Sequence, residues 1–250
     1  MVMYDLTLII PCYNEAEGIA HMRERLLAVL PGLRQRRSVE LVLVDDGSTD
    51  TTYRDLVAAF GDWEDTFLAR HEQNRGLGAA LRTGFALARG ELVVTADSDG
   101  TYPFSEIPAL LDRMVPGVDV VTASPYHADG GVENVPQYRV VLSRGASLIY
   151  QILLDRHVHT YTSMFRAYRR AVIEQVHTEA DGFLMVTELL VGAMLSGFRV
   201  AEHPTVLRVR RYGQSKARVL RILRSHLRFQ ARIALGRLTT AWEPLHREAH

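Results

Sequence analysis

The chain has 250 residues, 47% of them apolar, with 29 basic and 29 acidic side chains and a single cysteine, Cys12. That length and composition support one full hydrophobic core and exclude an internal disulfide framework. No run approaches the roughly 18 uninterrupted apolar residues of a membrane-spanning helix and no apolar leader precedes the first strand, so the expected setting is reducing and cytoplasmic.

Through residue 125, short β-branched or apolar runs alternate with longer helix-periodic ones. LTLII is followed by a helix pattern from Glu15 to Leu30, VELVLVD by Thr51 to Phe60, TFLAR by Leu77 to Ala88, and ELVVTA by Ser105 to Met114; DVVTA closes the series. Such alternation predicts an α/β fold with a mostly parallel sheet and helices on both faces. Beyond Ala123 the alternation stops. A Gly/Pro-containing loop leads to a predicted helix from Arg139 to Leu154, a second from Phe183 to Leu195, a strand from Phe198 to Val209 and a last helix from Ala217 to about Thr239. The expected organisation is a first half of one domain over 1–125, a second half over 126–216, and a C-terminal helix and tail over 217–250.

In open sheets of this kind ligands bind at the carboxyl ends of the strands, and four polar motifs fall there: PCYNEAE (11–17), DDGSTD (45–50), NRGLGAA (74–80) and DSDGTYP (97–103). DDGSTD fits a tight turn in which Ser48, Thr49 or Asp50 caps the next helix. It also fits a pair of acids, Asp45 and Asp46, that accept hydrogen bonds from a base or ribose. NRGLGAA opens a helix whose free N–H groups, with Arg75, suit an anion. Asp97 and Asp99 are two apart on an extended segment and point to the same side, so both can approach one hard divalent ion such as Mg²⁺ or Mn²⁺. A capped turn would explain the same residues. So would an aspartyl phosphatase of the haloacid dehalogenase type, which needs a downstream lysine and a later acidic pair; the sole lysine here is Lys216, and no such pair follows.

The ordered set PCYNE, DDGSTD, N-R-G-x-G, DSDGTYP, Arg139-x-x-x-Ser143, TSMFRAYRR, Glu188 and Arg210-x-x-G-x-Ser-Lys216 resembles the family 2 glycosyltransferases of GT-A fold, closest to the dolichyl- or polyprenyl-phosphate sugar synthases. The likeness covers about residues 4 to 217. It implies an inverting, metal-dependent transferase in which Pro11, Tyr13, Glu15 and Asp46 hold the nucleoside and Asp97 and Asp99 hold the metal on the diphosphate. Arg75, Arg210, Ser215 and Lys216 would serve the donor phosphates. Arg139 and Ser143, one helical turn apart, would grip an acceptor phosphate, which needs no strong base. Glu188 is the candidate base should the acceptor be a hydroxyl of a glycan or metabolite; a silent nucleotide-sugar-binding module is the non-enzymatic alternative.

The sequence departs from the relatives' pattern in three places. Thr101 stands where they carry Gln; Ala123-Ser124-Pro125 stands for Gly-Ser-Arg, with His127 as a substitute cation; and Thr160-Tyr161-Thr162-Ser163-Met164-Phe165 stands for Asp-x-Thr-Ser-Gly-Phe.

Charge is sorted along the chain. Between His203 and Trp242 there are ten Lys or Arg and no Asp or Glu. In the last helix Ile222, Leu223, Leu227, Ala231, Ala234, Leu235, Leu238 and Trp242 recur at three and four, opposite Arg218, Arg221, Arg224, Arg228 and Arg232. That pattern fits a core-facing helix with a solvated basic side. It also fits a helix lying on an anionic membrane, peripheral on its inner face, where a lipid-phosphate acceptor would be met. Nucleic acid is excluded as a partner, because the arginines come with no aromatic platform or reader motif.

Overall fold

A computed structural model describes residues 4–209 and 219–236. Strands β1 (Tyr4–Cys12), β2 (Val39–Asp45), β3 (Thr66–Arg70) and β4 (Gly90–Thr95) alternate with helices α1 (Ile19–Arg34), α2 (Thr52–Phe60) and α3 (Leu77–Leu87), and α4 (Ile107–Asp112) leads to β5 (Val120–Ser124). Next come β6 (Gly131–Glu133), α5 (Gln137–Leu153), β7 (Arg166–Arg169), α6 (Arg170–Gln175), α7 (Leu184–Leu195), β8 (Val200–Pro204), β9 (Val206–Arg208) and α8 (Val219–Ala234).

Seven strands form one sheet in the order β3-β2-β1-β4-β7-β5-β8, and β6 and β9 pair apart from it. Alternate side chains explain the layers, since a strand buried on both faces sends successive residues to opposite sides. Leu8 and Ile10 join a core with Met22 and Leu26 of α1 and Leu56 of α2. Ile9, between them, packs with Ala80 and Leu81 of α3. A third cluster joins Tyr150 of α5, Leu189 and Leu190 of α7 and Phe229 of α8.

The structure differs from the sequence expectation in several places, beginning with β6, which lies in the segment read as a loop, and α6, which the sequence did not announce. RAYR, read only as part of a motif, is a strand: β7 inserts between β4 and β5 and runs antiparallel to both. Its partners are fixed by long-range pairing, not by local alternation. The strand expected over 198–209 is two strands, with β8 parallel to β5 and β9 parallel to β6. This break at Thr205 moves residues 206–208 off the main sheet to the edge where the polar motifs lie.

Candidate active site

The first two motifs are laced to each other. Asn14, at φ 50°, receives a hydrogen bond from the Thr49 N–H at 2.8 Å and gives its own N–H to Ser48 Oγ at 2.8 Å. The Glu15 N–H donates to Thr52 Oγ1 at 2.7 Å, and Asp50 accepts from the Thr52 N–H at the head of α2. Of the three capping candidates, Asp50 therefore reaches the helix and Ser48 and Thr49 tie the two loops.

Asp46 is 3% exposed and its carboxylate is satisfied by the protein. Oδ1 takes His71 Nδ1 at 2.7 Å and the Arg75 N–H at 2.9 Å; Oδ2 takes Asn74 Nδ2 at 2.7 Å and the Gly76 N–H at 2.8 Å. His71 is fixed at its far nitrogen by Thr83 Oγ1 at 2.9 Å. Asp45, fully buried, accepts from the Ser48 N–H, and Arg70 Nε lies 3.2 Å from its other oxygen, off the hydrogen-bonding line.

The expectation that NRGLGAA offers free N–H groups is corrected here. Those of Arg75 and Gly76 go to Asp46, and those of Gly78 and Ala79 go to the Asp181 carbonyl. The glycines serve close packing instead. Gly76 sits at φ +100°, and a Cβ on Gly78 would stand 2.2 Å from the Ala180 carbonyl oxygen. Glu188 anchors the apposed loop: 4% exposed, it accepts from the Glu179 N–H at 3.0 Å and the Ala180 N–H at 2.8 Å.

The DSDGTYP turn is pinned to the core by Tyr102, whose ring stacks on Phe165 at 5.5 Å and whose carbonyl accepts from Arg25. Burial raises the pKa of the Tyr102 hydroxyl. Thr101 donates both its N–H, at 2.9 Å, and its hydroxyl, at 2.6 Å, to Asp99 Oδ1. Thr101 thus orients the second acid.

A cavity of about 450 Å³ opens over these motifs, lined among others by Pro11, Tyr13, Glu15, Asp46, Asp97, Asp99, Arg139 and Ser143. Eight predicted site residues therefore converge from four separate stretches of chain. Arg75 and Glu188 are not in the lining, and neither is His127, which pairs with Asp129. Arg210, Ser215, Lys216 and Trp242 lie outside the described residues. Sequence reasoning missed Asn74, Tyr126, Phe183 and Arg208, all in the lining. Asn74, the first residue of NRGLGAA, Tyr126, two residues past β5, and Arg208, in the acid-free basic run, carried a positional signal; Phe183 carried none. Ser143 Oγ hydrogen-bonds Thr162 Oγ1 at 2.8 Å. Cys12 also lines the cavity, but burial raises its thiol pKa, so it is not a thiolate nucleophile.

Among the described residues no group of three or more His, Cys, Asp or Glu side chains could hold a metal by itself. Asp97 and Asp99 in an open cavity nevertheless fit a hard divalent ion, because Mg²⁺-type sites pair one or two carboxylates with substrate phosphates and water instead of a full protein cage.

This architecture, with its acidic strand ends around one cleft, is the GT-A glycosyltransferase class. It superposes on glucosyl-3-phosphoglycerate synthase of Mycobacterium tuberculosis, solved with Mn²⁺, uridine diphosphate and glucosyl-3-phosphoglycerate, at a TM-score of 0.67 and 22% identity over 94% of this chain and 80% of that one. Residues 7–176 match glycosyl transferase family 2, and the chain belongs to that family. It is 33% identical over 213 residues to a dolichol-phosphate mannosyltransferase of Pyrococcus furiosus, covering 84% of this chain and 58% of that protein. It is 35% identical over 216 residues to a polyprenol monophosphomannose synthase of Mycolicibacterium smegmatis, covering 83% and 79%. An undecaprenyl-phosphate 4-deoxy-4-formamido-L-arabinose transferase of Pseudomonas aeruginosa is 33% identical over 226 residues, 87% of this chain and 62% of that protein. The chain thus spans less than two thirds of the first and third of these relatives.

Proposed function

We propose that the protein transfers a glycosyl group from a nucleotide-sugar donor to a polyprenyl phosphate, with inversion and with a divalent cation, Mg²⁺ or Mn²⁺. The observation that carries this reading is the shared cavity: Asp97 and Asp99 line one part of it, and Arg139 and Ser143 line another. The names of the relatives, all acting on lipid phosphates, support the acceptor class.

In the proposed step an acceptor phosphate oxygen attacks the anomeric carbon as the bond from that carbon to the nucleoside diphosphate breaks. Direct displacement inverts the centre. A cation bound by Asp97 and Asp99 would offset the charge of the leaving diphosphate. Thr101 holds Asp99 in orientation, and Pro11, Tyr13 and Glu15 flank the place for the nucleoside. Arg139 and Ser143 orient the attacking phosphate, which is already anionic and takes no proton to a base. That agrees with Glu188 being tied to backbone N–H groups away from the cavity.

The acceptor's lipid must stay at a membrane, and the exposed faces of α5 and α8 support docking there. Among the described residues no helix is long and apolar enough to cross a bilayer. Val141, Leu148 and Ile152 of α5 and Leu220 and Leu227 of α8 are each more than half exposed, and neither helix contains an acid. Arginines on such a surface add about 1 kcal/mol each near anionic lipid.

The test is an initial-rate assay with donor sugars and polyprenyl phosphate in anionic vesicles, with and without chelator. Lipid-linked product that disappears in chelator and returns with Mg²⁺ or Mn²⁺ is expected. Turnover with a free hydroxyl acceptor and none with lipid phosphate would overturn the acceptor; full activity in chelator would overturn the cation.

A further inference from the structure

The charged lining of the cavity is unbalanced among the described residues: Glu15, Asp46, Asp97 and Asp99 face two cations, Arg139 and Arg208. A phosphate entering such a space needs positive charge. Pro125 follows β5, and His127 is not in the lining. Arg208 comes instead from β9, on the small ribbon that β9 forms with β6.

The backbone, not the side chain, sets its position. The Arg208 N–H donates to the Thr101 carbonyl at 3.1 Å, and Thr101 in turn holds Asp99. The next residue, Val209, closes the ribbon by donating to the Glu133 carbonyl at 3.2 Å. Arg208 is therefore docked directly against the turn that carries the acidic pair. Its guanidinium Nε lies 3.2 Å from Glu133 Oε2, with the two side chains 46% and 55% exposed. Glu133 itself is not in the lining.

We propose that Arg208 is a phosphate-binding residue of this cavity and that Glu133 is an exchangeable counter-ion that holds its guanidinium until substrate enters. The inference rests on the reading of the cavity as a site for phosphate-bearing substrates, and names a ligand of that site. A half-exposed ion pair is weak. A planar guanidinium gains charge-assisted, bidentate bonds when it turns to a phosphate, so the exchange is favoured once a phosphate lies within reach. The phosphate is either the donor's diphosphate or the acceptor's monophosphate, and the two are separable by experiment.

Three variants, Arg208→Ala, Arg208→Lys and Glu133→Gln, are compared with the native protein by calorimetry with inorganic pyrophosphate and with UDP and GDP in Mn²⁺, by acceptor KM with polyprenyl phosphate, and by thermal unfolding. Arg208→Ala should weaken one phosphate ligand about 10- to 100-fold with the melting temperature held, because the ribbon's bonds here are made by the backbone. Arg208→Lys should restore part of the loss. Glu133→Gln should act in the opposite direction and tighten the same ligand a few-fold. A raised diphosphate Kd assigns Arg208 to the donor; an unchanged diphosphate Kd with a raised acceptor KM assigns it to the acceptor. The proposal is overturned if Arg208→Ala leaves all ligands within twofold, if Glu133→Gln weakens binding in parallel with it, or if the native protein binds none of these phosphates. Pyrophosphate binding lost in Arg208→Ala, in a protein that transfers no sugar, would uphold the inference while the proposed function failed.

Discussion

The strand ends after β2 and β4 both carry two aspartates, yet the structure treats them differently. Asp45 and Asp46 are adjacent and almost wholly buried, and the carboxylate of Asp46 is filled by a histidine, an asparagine and two backbone N–H groups. Asp97 and Asp99 are separated by one residue, half-buried, and line the cavity together. Asp45 ends β2, whereas Asp97 lies just past the end of β4 and Asp99 in the turn that follows, with Ser98 between them also in the lining. The first pair therefore holds loops together, and the second presents carboxylates jointly to the cavity.

Alanine substitutions should separate these roles. Asp97→Ala or Asp99→Ala should lower kcat by on the order of a thousandfold, the effect of several kcal/mol of lost charge stabilisation, while thermal unfolding stays within about 2 °C of native. Asp46→Ala should do the reverse in stability, removing about 3–5 kcal/mol by stranding a buried polar network, which calorimetric unfolding would register as a fall of about 10 °C. If Asp46→Ala left unfolding unmoved and raised only the donor KM, the contrast would collapse and Asp46 would be a nucleoside ligand.

Gly78→Ala sharpens the same comparison at the head of α3. The added methyl meets the Ala180 carbonyl, so a loss of about 1–3 kcal/mol is expected in denaturant unfolding. A helix end that served an anion instead would lose phosphate affinity and keep its stability.

A smaller effect is expected where α8 packs on α5. His226 is buried against Tyr150, with Nδ1 3.0 Å from the Tyr150 hydroxyl, and burial pulls its pKa down from 6.5 to about 4. The neutral form is the one the fold accepts. The stability that depends on it is full above pH 6.5 and is lost as pH falls from there through about 4. Amide exchange of α8 should accelerate across that window, and His226→Phe should flatten the dependence. Exchange that is flat in the native protein would show that the helix is not held through this histidine.

How much was legible depended on whether the signal was local. The β1–β4 alternation follows from side-chain period within a few residues and appears where the sequence placed it, and α2 and α3 begin within a residue of expectation, whereas α1 begins at Ile19, four residues past the expected Glu15. β7 was missed because a four-residue strand flanked by arginines has no period to read, and its antiparallel place between β4 and β5 depends on partners more than forty residues away. Glu188 was read as a candidate base from the family resemblance; the fold supplies the N–H donors of residues 179 and 180, which no helical pattern announces.

The sequence by itself determined the α/β class, the family, and the set of residues at the carboxyl ends of the first four strands, because hydrophobic period and motif order are properties of the chain. Which of those residues face the cavity was decided only by tertiary structure. Hydrogen-bond capacity is finite, so the Asp181 carbonyl takes the Gly78 and Ala79 amides, and Asp46, although it lines the cavity, has its carboxylate filled by the Arg75 and Gly76 amides, His71 and Asn74. The ribbon of β6 and β9 brought in Arg208, which the sequence showed only as one arginine among many.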